Sequence, residues 1–290
     1  MSWRDRSRRN RGNQWRRVIR KIVIYGVLIL GSFILLIPIF WMISTSLKPF
    51  EQTLIFPPRW IPDIIKWDNY SETFTYLPFW LYYRNSIIVT ISAVIGQVIS
   101  ASLVAFSFAR LRARGRDFFF FLMLSTMMIP IYVRIIPLYI IFKQLHWLNT
   151  FKPLIVPYWF GGAAFNIFLL RQFFRTIPIE IDESAKIDGC GTFRTYWQFI
   201  LPLSKPALAA VIIFSFMFHW NDFFGPLIYM SSTDKFTLPL GLMGFKDMYY
   251  TPIWNLLMAG SIMALLPCVL VFFFTQRYFV QGITLTGLKR

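Results

Sequence analysis

The chain carries a charged interval, Arg175-Thr-Ile-Pro-Ile-Glu-Ile-Asp-Glu-Ser-Ala-Lys-Ile-Asp-Gly189, which runs on through Cys190-Gly191 to Leu201-Pro202-Leu203 between two apolar runs. Pro178 suits the first turn of a helix, where its missing N–H would be unpaired anyway. Glu180, Asp182 and Glu183 fall in that turn, where the helix dipole favours acids. Ile181 and Ala185 share one face at a spacing of four. Gly189 supplies a stop, because it takes the left-handed conformation that ends helices. A short amphipathic helix on a polar loop is therefore expected. Phe193, Trp197 and Ile200 continue at helical spacing, Pro202 and Pro206 bracket a break, and Ser204 is placed to cap the helix that follows.

Composition puts this loop between membrane spans. The 290 residues are 56% hydrophobic and 15% charged, against about 25% charged in soluble domains. A span needs about 20 apolar residues to cross roughly 30 Å of hydrocarbon. Six runs qualify: Ile22–Thr45, Ser86–Ala109, Phe118–Phe142, Pro153–Leu170, Pro206–Met230 and Trp254–Gln276. The first exceeds a signal-peptide core, although Ser44-Thr45-Ser46 resembles a cleavage site; a retained span is the favoured reading. The fourth is short and interrupted by Pro157, Gly161-Gly162 and Asn166. The expected fold is an all-α membrane protein with six transmembrane helices.

Net charge is +17, but its placement speaks for topology and lipid, not nucleic acid. Nine Lys/Arg crowd into Met1–Lys21, directly before the first run. Counted over all loops, twenty-one Lys/Arg lie on one side and eight on the other, with Arg134 inside the third run. Positive residues stay in the cytoplasm, so both termini and the Glu183 loop are expected there. The segments are then a basic tail (1–21), a first span (22–45), an outer segment (46–85), a core (86–279) with the charged loop at about 175–205, and a C-terminal tail (280–290). In the outer segment Phe79, Trp80, Tyr82 and Tyr83 read as an interfacial belt. The runs Phe118–Phe121 and Phe272–Phe274 read as lipid-facing.

Cys190 and Cys268 make no disulfide framework, and His146 and His219 lack metal spacing. The chain has no Gly-x4-Gly-Lys-Ser/Thr, Gly-x-Ser-x-Gly or His-Glu-x-x-His, so no cofactor, metal or catalytic activity of its own is expected.

Polar residues inside apolar runs are the candidates for a solute path, since they usually face protein or a wet cavity. Asn221 and Asp222 lie about sixteen residues into the fifth run, or about 24 Å along a helix. They read as a pore-lining or gate position, or as a clamp between spans. Trp220 beside them reads as a structural tryptophan or a surface for a sugar ring. Arg134 reads as snorkelling, as pairing with Asp222, or as receiving an anionic group. Asn166 is a further cavity candidate.

The charged loop resembles the EAA loop of permease subunits of ATP-binding-cassette (ABC) importers. Glu183-Ser184-Ala185 stands for Glu-Ala-Ala, Asp188-Gly189 for the Asp-Gly step, and Ile200-Leu201-Pro202 for the end of the motif. Ser184 and Cys190 replace alanines and remain small. Met128-Ile-Pro130 with Ile136-Pro-Leu-Tyr139, Phe168-Leu-Leu-Arg-Gln-Phe-Phe174, Trp220-Asn-Asp-Phe223 and Gln276-Arg-Tyr-Phe-Val-Gln-Gly282 extend the resemblance to the carbohydrate-uptake branch. There they resemble the shorter of the two maltose-type permeases.

This resemblance implies the type I importer transmembrane domain in a bacterial inner membrane. Its implied partners are a second, homologous permease, two ATPase subunits and an extracytoplasmic solute-binding protein. Residues 179–188 would dock on an ATPase, with Glu183 meeting a basic group, Ala185 allowing close approach and Gly189 the turn; Ser184, Asp188 and Pro202 complete the coupling set. The resemblance also implies that Ser231–Ile253, with Tyr249-Tyr250, contacts the binding protein, and that Gly282–Arg290 reaches the ATPases. A secondary transporter, a membrane enzyme and an ABC permease for another solute, glycerol phosphate foremost, are the rivals.

Overall fold

Apolar runs of this length become helices because hydrocarbon offers no partner to a bare N–H or C=O. The computed structural model describes residues 3–161, 163–246 and 251–287, with side chains from 18 to 276 within those bounds. Gly162, Tyr249-Tyr250, the side chains of residues 3–17 and 277–287, and residues 288–290 lie outside the described part.

Helix α1 (Trp3–Ser46) carries the backbone of the basic tail straight into the first apolar run. None of its apolar window is buried; only its far end, Ser44 to Ser46, is covered by the chain. The short α2 (Asp68–Tyr76) leads to α3 (Phe79–Arg110), which starts seven residues before the expected span and takes the aromatic belt into the helix. Phe79 and Tyr82, read as belt residues, are instead core residues, while Trp80 is exposed.

Three expected spans are interrupted. The third consists of α4 (Arg116–Ser125), a 3-10 turn, and α5 (Ile131–Gln144), and its two arms meet at 99°. Pro130 causes this break, because a residue before proline is pushed out of the helical region; Ile129 is extended (φ −79, ψ 114). Pro137, by contrast, stays within α5. The fourth run forms α6 (Lys152–Trp159) and α7 (Ala164–Thr176), together long and apolar enough to count as one span.

After the loop helix α8 (Glu180–Ile187) and the amphipathic α9 (Thr192–Leu203), the chain turns by 81° into α10 (Lys205–Trp220). The fifth run was expected to continue to Met230. Instead it stops at Trp220, and a separate α11 covers Phe224–Tyr229. The long α12 (Trp254–Gly287) ends the described chain. Among the described residues, four helices are long and apolar enough to span a membrane, and six spans result if each bent pair counts as one.

Small residues let α3 and α7 approach closely. Ala101, Ala105 and Phe106 of α3 meet Ile167, Leu170 and Phe174 of α7, together with Tyr196 and Ile200 of α9. At the opposite end, polar groups knit the segments together. The Asn85 amide donates to the Asp234 and Phe236 carbonyls at 2.9 Å each. That of Asn69 donates to the Ser46 and Lys48 carbonyls at 2.8 Å each, and Asn255 of α12 donates to Asn69 Oδ1.

Candidate functional site

The loop helix forms as its sequence requires. Acids fill the first turn of α8, and the last turn closes on Gly189 at φ +75. The Cys190 N–H donates to the Ala185 carbonyl and the Gly189 N–H to that of Lys186, which is the paired closure of a Schellman motif. Pro178, expected in the first turn, lies just ahead of it, and Ile179 stands at the N-cap.

One face of α8 is glued to the chain. Ala185 is 2% exposed, and Ile181 packs against the core that α3, α7 and α9 share. Ala185 therefore serves contact within the chain in this structure, not an approach from outside. The other face is open: Glu183, Ser184, Asp188 and Gly189 are exposed, as is Pro202 of α9. Ile187, 86% exposed, puts an aliphatic side chain at the tip of this polar face.

Asp182 is the residue whose role the sequence hid. It reads as a dipole-compensating acid, yet it is turned inward and meets Arg110 Nη1 at 3.3 Å, with both side chains less than 10% exposed. Arg110 also donates to the carbonyls of Phe174 (2.8 Å) and Ile177 (2.6 Å). A sequence signal did exist, in that Arg110 falls where α3 must end. Nothing local marked which acid it would meet.

In α9, residues Tyr196–Ile200 form a widened π-turn. Pro202 cannot donate to the turn before it and its ring crowds that turn, which the wider winding relieves. Ser204, expected as a cap, instead donates its hydroxyl back to Ile200 O at 2.7 Å. Phe193 and Trp197 point away from the core, while Ile200 is fully buried. Tyr196 shares a 2.7 Å hydrogen bond with Ser102 of α3, a second tie between loop and bundle.

The five candidates for the solute path lie on three elements: Asn166 on α7, Trp220 to Asp222 at the end of α10, and Arg134 on α5. Asn166 is buried and donates to Ser215 Oγ of α10 at 3.0 Å, a clamp between helices. Trp220 is 3% exposed; its N–H donates to the Ala264 carbonyl, and its ring faces Phe216 and Tyr83. No ring face is left for a sugar. Asn221 and Asp222 do not sit inside a continuous helix but in the break after Trp220. Asn221 donates back to Met217 O, and Asp222 Oδ1 accepts the Gly225 N–H at 3.0 Å, capping α11. Arg134 on α5 is exposed, and among the described residues it has no ion pair with Asp222 or any other acid. Among the searched residues no group of His, Cys, Asp and Glu could hold a metal. Of the Phe118–Phe121 run, Phe120 is buried and supports the Arg171 guanidinium at 3.8 Å, while the other three are exposed.

Comparison with known proteins fits a loop helix on a broken-span bundle. Residues 97–285 match the family "binding-protein-dependent transport system inner membrane component", and the chain belongs to it, as a multi-pass protein of the inner membrane. It is 34% identical over 265 residues to the arabinooligosaccharides transport system permease protein AraQ of Halalkalibacterium halodurans, covering 89% of this chain and 92% of that one. To the sn-glycerol-3-phosphate transport system permease protein UgpE of Yersinia enterocolitica it is 32% identical, covering 90% and 95%. A bacterial ABC transporter involved in the import of the acidic polysaccharide alginate has a chain of like fold. The TM-score is 0.79 at 25% identity, over 91% of this chain and 98% of that one.

Proposed function

We propose that the chain is the translocating subunit of an ATP-driven importer of a sugar or oligosaccharide. It works with a second, homologous permease, two ATPase subunits and an extracytoplasmic binding protein. On this reading there are six spans, with α4–α5 and α9–α10 each contributing one; both termini and α8 then share one side, and the excess of Lys/Arg on it makes that side the cytoplasm. The ATPase supplies the hydrolysis, and α8 receives its stroke.

The observation that carries this reading is the two-sided construction of α8. Its inner face is fixed to the bundle by Ile181, Ala185 and Asp182, so a push on it moves spans instead of bending a loop. Its outer face presents Glu183, Ser184, Asp188 and Gly189, with Ile187 exposed beside them. The family match and the name of the arabinooligosaccharide relative support an importer and a sugar respectively. The test is reconstitution in proteoliposomes with the ATPase, the partner permease and the binding protein. Uptake that needs both ATP and the binding protein is expected; uptake by the chain alone would refute the assignment.

One observation favours an acidic solute as the second reading. Arg134 is an exposed guanidinium on a broken span, and among the described residues it forms no ion pair. The solutes named for the glycerol-3-phosphate and alginate relatives are both anionic. Competition between a neutral and a uronate oligosaccharide for binding-protein-dependent uptake separates the two readings.

A further inference from the structure

Two arginines lock the α8 end of the bundle in a reciprocal manner. Arg110, the last residue of α3, reaches across to the end of α7 and donates to the Phe174 and Ile177 carbonyls. Arg171 of α7 reaches back and donates to the Phe108 carbonyl of α3 at 3.2 Å. Each guanidinium thus adds a donor to carbonyls in the last turn of the other's helix or just beyond it. Each also holds one acid from a neighbouring element: Arg110 holds Asp182 of α8 at 3.3 Å, and Arg171 lies 3.6 Å from Asp117 of α4. Phe120 of α4 stacks under Arg171. Both arginine side chains are less than 10% exposed.

We propose that Arg110, paired with Asp182, is the positioning residue that makes α3, α7 and α8 one rigid body, so that a displacement of α8 enters the bundle through α3. This rests on the reading of α8 as the element that receives the ATPase stroke. Without the pair, α8 is held by the short linker Ile177–Ile179 on one side, by the Cys190–Gly191 step into α9 on the other, and by the packing of Ile181 and Ala185. Linker torsion would then absorb motion before it reached a span. Arginine is required because one planar fork must serve a carboxylate and two carbonyls at once, which a lysine ammonium on a flexible stem cannot do in fixed geometry. Asp182 belongs to this clasp and not to the outer face, so Glu183 and Asp182, adjacent in sequence, do different work.

The test uses the full chain with Asp182→Asn, Asp182→Glu and Arg110→Lys. In hydrogen–deuterium exchange of the purified protein, Asp182→Asn and Arg110→Lys are expected to speed exchange across 180–190 about tenfold or more. Exchange across 205–220 and 254–276 stays as in the parent. In the reconstituted importer the same variants keep hydrolysing ATP but import about tenfold less solute per ATP, and Asp182→Glu, which keeps the charge, restores most of the ratio. Unchanged exchange and an unchanged ratio in Asp182→Asn would overturn the proposal. So would a loss of protection spread evenly over all helices, which marks plain structural glue. If the parent chain shows no ATP-driven uptake, the functional assignment fails while the exchange experiment still decides the clasp.

Discussion

Gly189 allows the separation of two effects usually confounded in a loop glycine. Its φ of +75 is a conformation that costs an L-residue about 1–2 kcal/mol. A Cβ built there meets nothing within 4 Å, so the cost is all backbone and none of it collision. Removing glycine also lowers the entropy of the unfolded chain, which returns about 0.4–1 kcal/mol. The net loss for Gly189→Ala is then on the order of 1 kcal/mol. Gly189→Asn is expected to cost much less, because asparagine tolerates the left-handed region. Gly189→Trp carries the same backbone cost as alanine but adds a large ring to the exposed face of α8. Thermal unfolding in detergent should therefore rank glycine and asparagine together, with alanine and tryptophan together below. ATP-driven uptake should survive in the asparagine and alanine variants and vanish in the tryptophan variant. Asparagine destabilising as much as alanine would refute the closure argument. Normal uptake by Gly189→Trp would refute docking through this face.

Other residues offer independent checks. Asn166→Ala should lower stability by about 0.6 kcal/mol, the typical worth of an interhelical hydrogen bond, and leave the KM for solute unchanged; a raised KM would return Asn166 to the solute path. Asp222→Asn keeps an acceptor for the Gly225 N–H and should fold as the parent does, whereas Asp222→Ala loses the cap and about 1 kcal/mol; equal thermal stabilities would show that the cap is idle. Lys48 is fully buried, with its ammonium 4.0 Å from the Trp41 ring centroid and no hydrogen-bond partner among the described residues. Burial lowers its pKa below 10.5. Between that lowered value and 10.5 the unfolded chain holds more protons than the folded one, so stability rises as pH rises through this window. Lys48→Met should flatten the rise and stabilise the protein at neutral pH by on the order of 1 kcal/mol, which unfolding at several pH values would measure.

The helical architecture and the loop were legible because their determinants are local. Run length, proline and glycine punctuation and the acid-rich first turn each act within a few residues, and α3, α8 and α12 follow from them. Breaks were less legible. Pro130 and Pro137 look alike in sequence, yet one stands just ahead of a helix and the other sits inside it. The fifth run fails at Asn221-Asp222, where side chains that can bond the backbone offer it an alternative to the helix. Which residues face outward was legible where helix register alone sets it, as for Glu183 and Asp188. Asn166, Trp220 and Asp182 take their roles from partners 44 to 72 positions away, Ser215, Ala264 and Arg110, and no local pattern records such a partner.

The first helix is held at one end only. Its far end is tied by Ser44, Ser46 and the Asn69 amide, while the exposed apolar stretch before it, from Val18 on, runs out like a cantilever. Along most of that beam any aliphatic residue serves as well as another, because greasiness is demanded there and shape is not. At the anchored root the demand reverses, and a single misplaced methyl would swing the whole beam.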